Sequence, residues 1–369
     1  MNTNLYVDVH ILQDVPPANL NRDDTGSPKS ARYGGVDRLR VSSQAWKRAT
    51  RLDFQRHMPN EQLGIRTRRV QETVAQALTA GGIPTEQATP LAERLLSQIN
   101  ITARQGKSAE SSYLLFFSRP QLQRLAAEVL ENEPLWQDPD ALKDAINVRN
   151  ILGHGHSLDV ALFGRMVADL AEINVDAAAQ VSHALGTHAA PTQFDYFTAV
   201  DDAQGDDEAG AGMIGTVEFN SATLYRYATL NLPELISNMQ SKAAAVAGVA
   251  QFLRSFTLSM PSGKQNTFAA RTRPGLVWFV VRTDQPVNYV SAFERPVHAD
   301  AHGYFAASVD RLAEFVAQEA GRWGDVPLAQ AASYTPSAAI LEQAFGPSAP
   351  FETAVETVRQ ALEGALANE

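Results

Sequence analysis

The residues of this chain best suited to hold a charged ligand lie between Asn21 and Arg51, in NRDDTGSPKSARYGGVDRLRVSSQAWKRATR. Eight Lys or Arg (Arg22, Lys29, Arg32, Arg38, Arg40, Lys47, Arg48, Arg51) stand there against three acids (Asp23, Asp24, Asp37). That is a local charge of +5 in a 369-residue chain whose total is −10. An acidic protein that gathers its cations into one short segment offers a track for a polyanion. Arg38-Leu39-Arg40-Val41 reads as a short strand, Ser42 and Ser43 as helix N-caps, and Gln44 onward as helix. At 3.6 residues per turn, Gln44, Lys47, Arg48 and Arg51 share one face, while Ala45, Ala49 and Leu52 share another. Cap hydroxyls, N–H groups and a basic stripe at one helix start make a phosphate seat. A solvated amphipathic helix with ordinary surface arginines has the same pattern, and the residues alone leave both readings open.

A second cluster lies in TQFDYFTAVDDAQGDDEAGAGMIG, residues 192–215, which reads as a long exposed loop. Tyr196, Phe197 and Val200 are apolar there among six acids (Asp195, Asp201, Asp202, Asp206, Asp207, Glu208) and no base. Aromatics on an exposed loop need a partner surface, because burial is worth ~25 cal/mol per Å²; tucking back into their own core satisfies the same need. Lys264-Gln265-Asn266, after Pro261 and Gly263, offers one cation and two amides on a turn.

Catalytic chemistry finds less support. His183 and His188 are five residues apart where zinc-binding helices prefer i,i+4, and no HExxH occurs. His154 and His156 lie in GHGH, a flexible loop motif. Asp23 and Asp24 with the acidic loop offer carboxylates for Mg²⁺ and hence RNA cleavage, although salt bridges orienting Arg22 are the expected use of that pair. Zero cysteines exclude disulfides, thiol catalysis and thiolate metal sites. No metal and no cofactor is expected.

The elements around these residues suit an α+β fold. Leu5–Leu12 alternates as a strand containing Asp8 and His10, and Pro16, Pro17, Gly26 and Pro28 break regular structure up to Tyr33. A helix-rich insert follows over 60–173, with helical spacing at 67–79, 86–99, 119–131 and 139–147 and breaks at Pro84, Pro90 and Pro134. Glu218–Ala228 alternates like a strand, Leu232–Phe256 reads as helix, and GLVWFVVR at Gly275–Arg282 is the clearest buried strand. Ser308–Arg322 and Phe351–Leu366 read as closing helices. The stretch 301–369 carries nine acids and three bases, which suits a basic neighbour and not RNA. No apolar run approaches the ~20 residues of a membrane span, and MNTNLYVDVHIL reads as a strand and not a signal peptide, so a cytoplasmic protein is expected.

NLNRDD, a Gly-Gly pair and then R-x-R-V-S-S-Q-x-x-K-R-A resemble the N-terminal signature of the Cascade backbone subunit, the CasC type of type I-E CRISPR surveillance complexes. Further blocks match in the same order: DVALFGRM (Asp159–Met166), SHALGTH (Ser182–His188), DYFTAVDD (Asp195–Asp202), GTVEFNSATLYRYATLNL (Gly215–Leu232), GKQNTFAA (Gly263–Ala270) and SAFERPV (Ser291–Val297). Residues 60–150 and the tail beyond 300 match poorly. The resemblance implies an RRM-like (ferredoxin-like) palm over 1–59 and 218–369, a helical finger insert over 60–180 and an extended thumb loop over 181–217. It implies a non-catalytic subunit that polymerises along the crRNA spacer and presents it in kinked segments for target DNA. Its partners would be crRNA, target DNA through the guide duplex, further copies of itself, and the five-prime cap, hairpin-processing, small helical and large subunits. The RNA-contacting residues implied are Asn21, Arg22, Lys29, Arg40, Ser42, Ser43, Gln44, Lys47, Arg48, Arg51, Arg165, Met166, Lys264, Gln265 and Asn266. Tyr196, Phe197 and Val200 would form the thumb wedge, Tyr196 standing where the family commonly has Trp. Related type III backbone subunits cut RNA with an acidic residue, which makes a metal-dependent ribonuclease on this fold the rival reading.

Overall fold

A computed structural model describes residues 4–101, 103–104, 107–111, 114–132, 136, 141–167, 171–199, 213–336 and 338–367. The chain divides into two compact units, each assembled from separated stretches of sequence. The first comprises Tyr6–Thr50, Val181–Thr229 and Phe252–Glu369, and the second Met1–Leu5, Arg51–Gln180 and Leu230–Gln251.

The first unit is built on a largely antiparallel sheet. Its strands are β1 (Tyr6–Ala18), β2 (Ser30–Tyr33), β3 (Val36–Val41), β4 (Ala184–Gly186), β5 (Gln193–Ala199), β6 (Met213–Asn231), β7 (Leu276–Arg282) and β8 (Ala329–Tyr334), besides the short strand Ala179–Val181, which pairs with β6. They lie in the order β8-β7-β1-β6-β4-β3-β2, and β5 pairs with β6 off that path. The register from Tyr6↔Arg282 to Leu12↔Leu276 sets Asp8, His10 and Leu12 on one face with Val280, Trp278 and Leu276. That face is closed by Tyr289, Phe293, Leu312 and Phe345, drawn in part from helices Tyr304–Trp323 and Ala339–Phe345. The other face buries Val7, Val9, Ile11 and Phe279, with Phe279 6.3 Å from the Phe351 ring of the C-terminal helix. Cover on both faces explains why every residue of β7 is buried and why its sequence is apolar without alternation up to Arg282.

Asp8 and His10 are inside this core. Asp8 accepts from Tyr227 Oη and the Val287 N–H and lies 3.4 Å from Arg282 Nε; burial still pushes its carboxyl up to about 6. His10 Nδ1 bonds Tyr225 Oη, and its ring packs among Tyr227, Trp278 and Tyr289. β1 runs six residues past the expected end at Leu12. Pro16 and Pro17 sit exposed at its far end, where a missing ladder N–H is tolerated.

The second unit packs helices Val70–Ala80, Thr85–Ser97 and Arg119–Leu130 around Val74, Leu78, Leu91, Leu95, Leu122 and Leu125. Pro90 was expected to break this stretch and instead lies within Thr85–Ser97. The lost hydrogen bond is offset by burial of Leu91, Ala92, Leu95 and Leu96 on the same helix. Gly64–Thr67 and Leu115–Ser118 pair antiparallel, a ribbon that the helical spacing of the segment had hidden. The helix expected over 232–256 is two, Leu232–Met239 and Lys242–Leu258, divided where Gln240 turns left-handed at φ 57°. No helix among the described residues is long and apolar enough to cross a membrane.

Candidate nucleic-acid interface

The basic segment folds into a seat because three stretches are tied together by backbone. The Lys29 N–H donates to Asn21 O, the Arg40 N–H to Lys29 O, and the Ser42 N–H to Asn21 Oδ1 at 2.8 Å. Asn21 is therefore a clamp for the helix start. Ser42 is the cap: its backbone oxygen accepts from Ala45 and Trp46, and its hydroxyl accepts from the Ala45 N–H at 3.3 Å. The helix runs Ser43–His57 with Gln44 and Arg48 exposed and Lys47 half-buried.

Of the expected apolar side Ala45, Ala49 and Leu52, Ala49 is buried and Ala45 half-buried. Leu52 is exposed, and the anchors are Trp46 and Phe54, both fully buried. Trp46 meets the Phe256 ring edge-on at 6.4 Å, and the Arg226 guanidinium lies 3.7 Å from its ring centroid. Arg226 donates to Gln13 Oε1 and to the carbonyls of Phe256 and Thr257. Burial lowers its pKa to about 9, so it remains a cation near neutral pH, fixed behind the basic helix.

Neighbouring loops close on this seat. A Cβ on Gly263 would stand 2.3 Å from Leu20 O, so glycine is what lets the Pro261–Lys264 turn press on the segment entering Asn21. Lys264, at φ 50°, begins the Gln265–Phe268 turn, and Gln265 Nε2 reaches Pro261 O at 3.5 Å. Asn19 Nδ2 donates both to Gly26 O and to Glu218 O at the root of β6. Arg22 is exposed on this loop. The expected salt bridge to it does not form: Asp23 Oδ1 accepts from the Thr25 N–H and hydroxyl and the Ser27 N–H, which hold its carboxyl below the usual range. Asp23 shapes its own turn.

Within the stretch expected to form a loop, residues 193–199 and 213–215 instead belong to paired strands, the arms of a hairpin of β5 against β6, with register Tyr196↔Thr216 and Phe197↔Gly215. Alternation puts Phe194 and Tyr196 on one face with Ile214, all more than 60% exposed. Phe197 points the other way and covers Gly215, where a Cβ would lie 2.4 Å from Phe197 Cζ. Tyr196 and Phe197 thus cannot act from one side, and the exposed stripe is Phe194–Tyr196–Ile214. Val200 lies outside the described residues.

In the second unit the expected contacts divide. Arg51 turns inward, 3.3 Å from Asp159 Oδ2 and 4.3 Å from the Phe116 centroid, and Asp159 also accepts from the Gly64 N–H. Arg165 is buried, donates to Ile173 O and Leu152 O at 2.7 Å each, and has its pKa lowered to about 10 by burial. Burial and these two carbonyl partners make it a fixture of the fold. Met166, after Gly164 at φ 74°, is 86% exposed in a loop, whereas a methionine on a helix would be core filler.

The histidines go separate ways. His183 Nδ1 accepts from the Ser43 N–H at 3.2 Å and lies 3.4 Å from Arg40 Nη1. His188 stacks on Tyr304 at 3.6 Å, with Nε2 taking the Thr223 N–H. Among the described residues no three His, Cys, Asp or Glu are grouped as metal ligands. His183 belongs to the seat and was missed there, because its partners are 140 residues distant in sequence. Phe194 and Ile214 were also missed, because the face they share is set by the pairing of two arms of the chain.

A mixed α+β protein with a basic helix start, a glycine-seated loop and an aromatic hairpin in one unit is the class that the geometry defines. The CT1975-like protein family matches residues 7–356, and the chain belongs to that family. It is similar to a chain of a solved "CRISPR RNA-guided surveillance complex, pre-nicking", with 32% identity and TM-score 0.84 over 97% of this chain and all of that one. A chain of another "CRISPR RNA-guided surveillance complex" aligns at 26% identity and TM-score 0.73, covering 96% and 99%. No curated protein matches the chain. The resemblance to Cascade subunits read from the sequence blocks holds.

Proposed function

We propose that this chain is a non-catalytic backbone subunit of a type I-E Cascade complex, located in the cytoplasm, that polymerises along the crRNA spacer. The sheet unit serves as palm, the helical unit as fingers and the β5–β6 hairpin as thumb. The observation that carries the reading is the seat: Asn21 clamps a Ser42-capped helix start, with Arg40, Lys47 and Arg48 around it and the Lys264 turn pressed on its entry. Cations gathered at a helix start, which meet phosphate and not base edges, suit a scaffold whose guide differs each time while its backbone does not. Met166 and the hairpin's aromatic stripe supply apolar surface for displaced nucleotides, which keeps the guide in short segments for target DNA. The acidic stretch 301–369 suits contact with basic neighbours among the other Cascade subunits and further copies of the chain.

The test is purification followed by an absorbance ratio at 260 and 280 nm, then incubation of the RNA-loaded protein with Mg²⁺ or Mn²⁺. Copurified RNA that stays intact is the expected result. A protein free of RNA would make it a protein-only scaffold. Regular cleavage lost in Asp23→Ala or Asp24→Ala would make it a ribonuclease.

A further inference from the structure

The imidazole of His183 sits at the helix start with one nitrogen engaged and the ring exposed. Nδ1 is the shared acceptor for the Ser43 N–H (3.2 Å) and the Arg40 guanidinium (3.4 Å), and Arg40 is held on its other side by Nε donating to Ser30 O at 3.2 Å. A nitrogen that accepts carries no proton, so the network assigns the Nε2–H tautomer. Partial burial, then the positive charges of Arg40 on β3 and Lys29 on the segment entering β2, hold the imidazole below its usual pKa and therefore neutral near pH 7. The remaining polar atom is Nε2–H, a donor on an exposed ring beside two cations and a capped helix start.

We propose that His183 is an RNA-contacting residue of this seat: its Nδ1 positions Arg40 and the helix start, and its Nε2–H donates to a non-bridging phosphate oxygen of the guide. The inference rests on the reading of this unit as a guide-RNA interface. A neutral donor has a recognisable signature. It adds affinity without displacing a counterion, so its loss lowers binding at every salt concentration and leaves the salt slope unchanged, while each lost cation lowers the slope by about 0.7 on single strands. One hydrogen bond to a charged group corresponds to about tenfold in affinity.

Two substitutions separate the two nitrogens. In His183→Asn the amide oxygen stands where Nδ1 was and the outward donor is lost. In His183→Gln the amide nitrogen reaches the place of Nε2. Binding of the full-length, RNA-stripped protein to a fluorescent single-stranded RNA oligonucleotide is measured across a salt series, with Arg40→Ala in parallel. The expected result is about tenfold weaker binding for His183→Asn at unchanged slope, restoration to within about threefold by His183→Gln, and a shallower slope for Arg40→Ala. Parent-like binding by His183→Asn, or equal losses in both histidine variants, would overturn the assignment while a weakened Arg40→Ala preserved the interface. If Arg40→Ala also bound like the parent, the interface reading itself would fail. In the unmutated protein, long-range ¹H–¹⁵N spectra supply an independent readout: added RNA should move the His183 Nε2 resonance, and a shift confined to Nδ1 would reject the contact.

Discussion

Arg38 and Arg51 show how little a run of cations says about which of them a ligand can reach. Arg38 is fully buried and donates to the carbonyls of Tyr33, Gly186 and Phe293; Arg51 pairs with Asp159. Arg48 on the same helix is exposed. Charge pattern placed all three in one positive segment, and a helical wheel put Arg48 and Arg51 on one face, but the choice between solvent and core depends on Asp159, far along the chain. Arg165 repeats the lesson outside the segment. Arg48→Ala is expected to leave thermal stability within about 0.5 kcal/mol and to lower the RNA salt slope by about 0.7. Arg165→Ala should destabilise the fold by roughly 1–3 kcal/mol, because the Ile173 and Leu152 carbonyls lose their buried donor. Melting curves and a salt titration on both variants decide it: an Arg165→Ala protein with parental melting and a shallower slope would return that residue to the interface.

At the scale of elements, the hairpin is where sequence and structure part. Glycines and acids around QFDYFTA read as loop, yet β5 is a strand because β6 supplies its partner, and pairing of that kind is not visible in a local window. β6 itself, β7 and the basic helix were legible from alternation, apolar run and cap. The two hairpin faces have different duties. Tyr196 projects from an open stripe, whereas Phe197 shields the backbone at Gly215, a position that otherwise weakens a strand. Phe194→Ala with Tyr196→Ala is therefore expected to keep the hairpin and lose RNA assembly, since stacking is worth ~1–3 kcal/mol per base and the loss recurs at every copy. Phe197→Ala should loosen the hairpin first. Amide hydrogen exchange on β5 and β6, compared with assembly on RNA, separates them. Unprotected amides in the Phe194/Tyr196 variant would make its stripe structural, and protected amides in Phe197→Ala would refute the covering role.

Across the whole molecule, acid is the condition that acts on both units, because each holds a buried neutral histidine. In the sheet unit burial keeps His10 well below 6.5. In the helical unit burial, then Arg165, lower His156 to about 4, with Nδ1 accepting from Gln121 Nε2 and Nε2 donating to Gly153 O. The unfolded chain takes up a proton at each site as pH falls through 6.5, and the folded chain does not, so both contribute stability above pH 6.5 that is lost on the way to 4. Asp8 acts in the opposite sense. Raised from 3.8 to about 6, it binds its proton more tightly when folded, and adds stability as pH falls through 6. One pKa unit corresponds to about 1.4 kcal/mol, so Asp8 and His156 nearly cancel, and His10, with His183 and His188 also held below 6.5 by burial, sets the direction. Urea midpoints should therefore fall between pH 7 and pH 4.5. His156→Asn, whose amide oxygen can still accept from Gln121, should flatten the fall, and Asp8→Asn should steepen it. If midpoints rose on acidification, or His156→Asn tracked the parent at every pH, burial of these imidazoles would not govern the acid response of the fold.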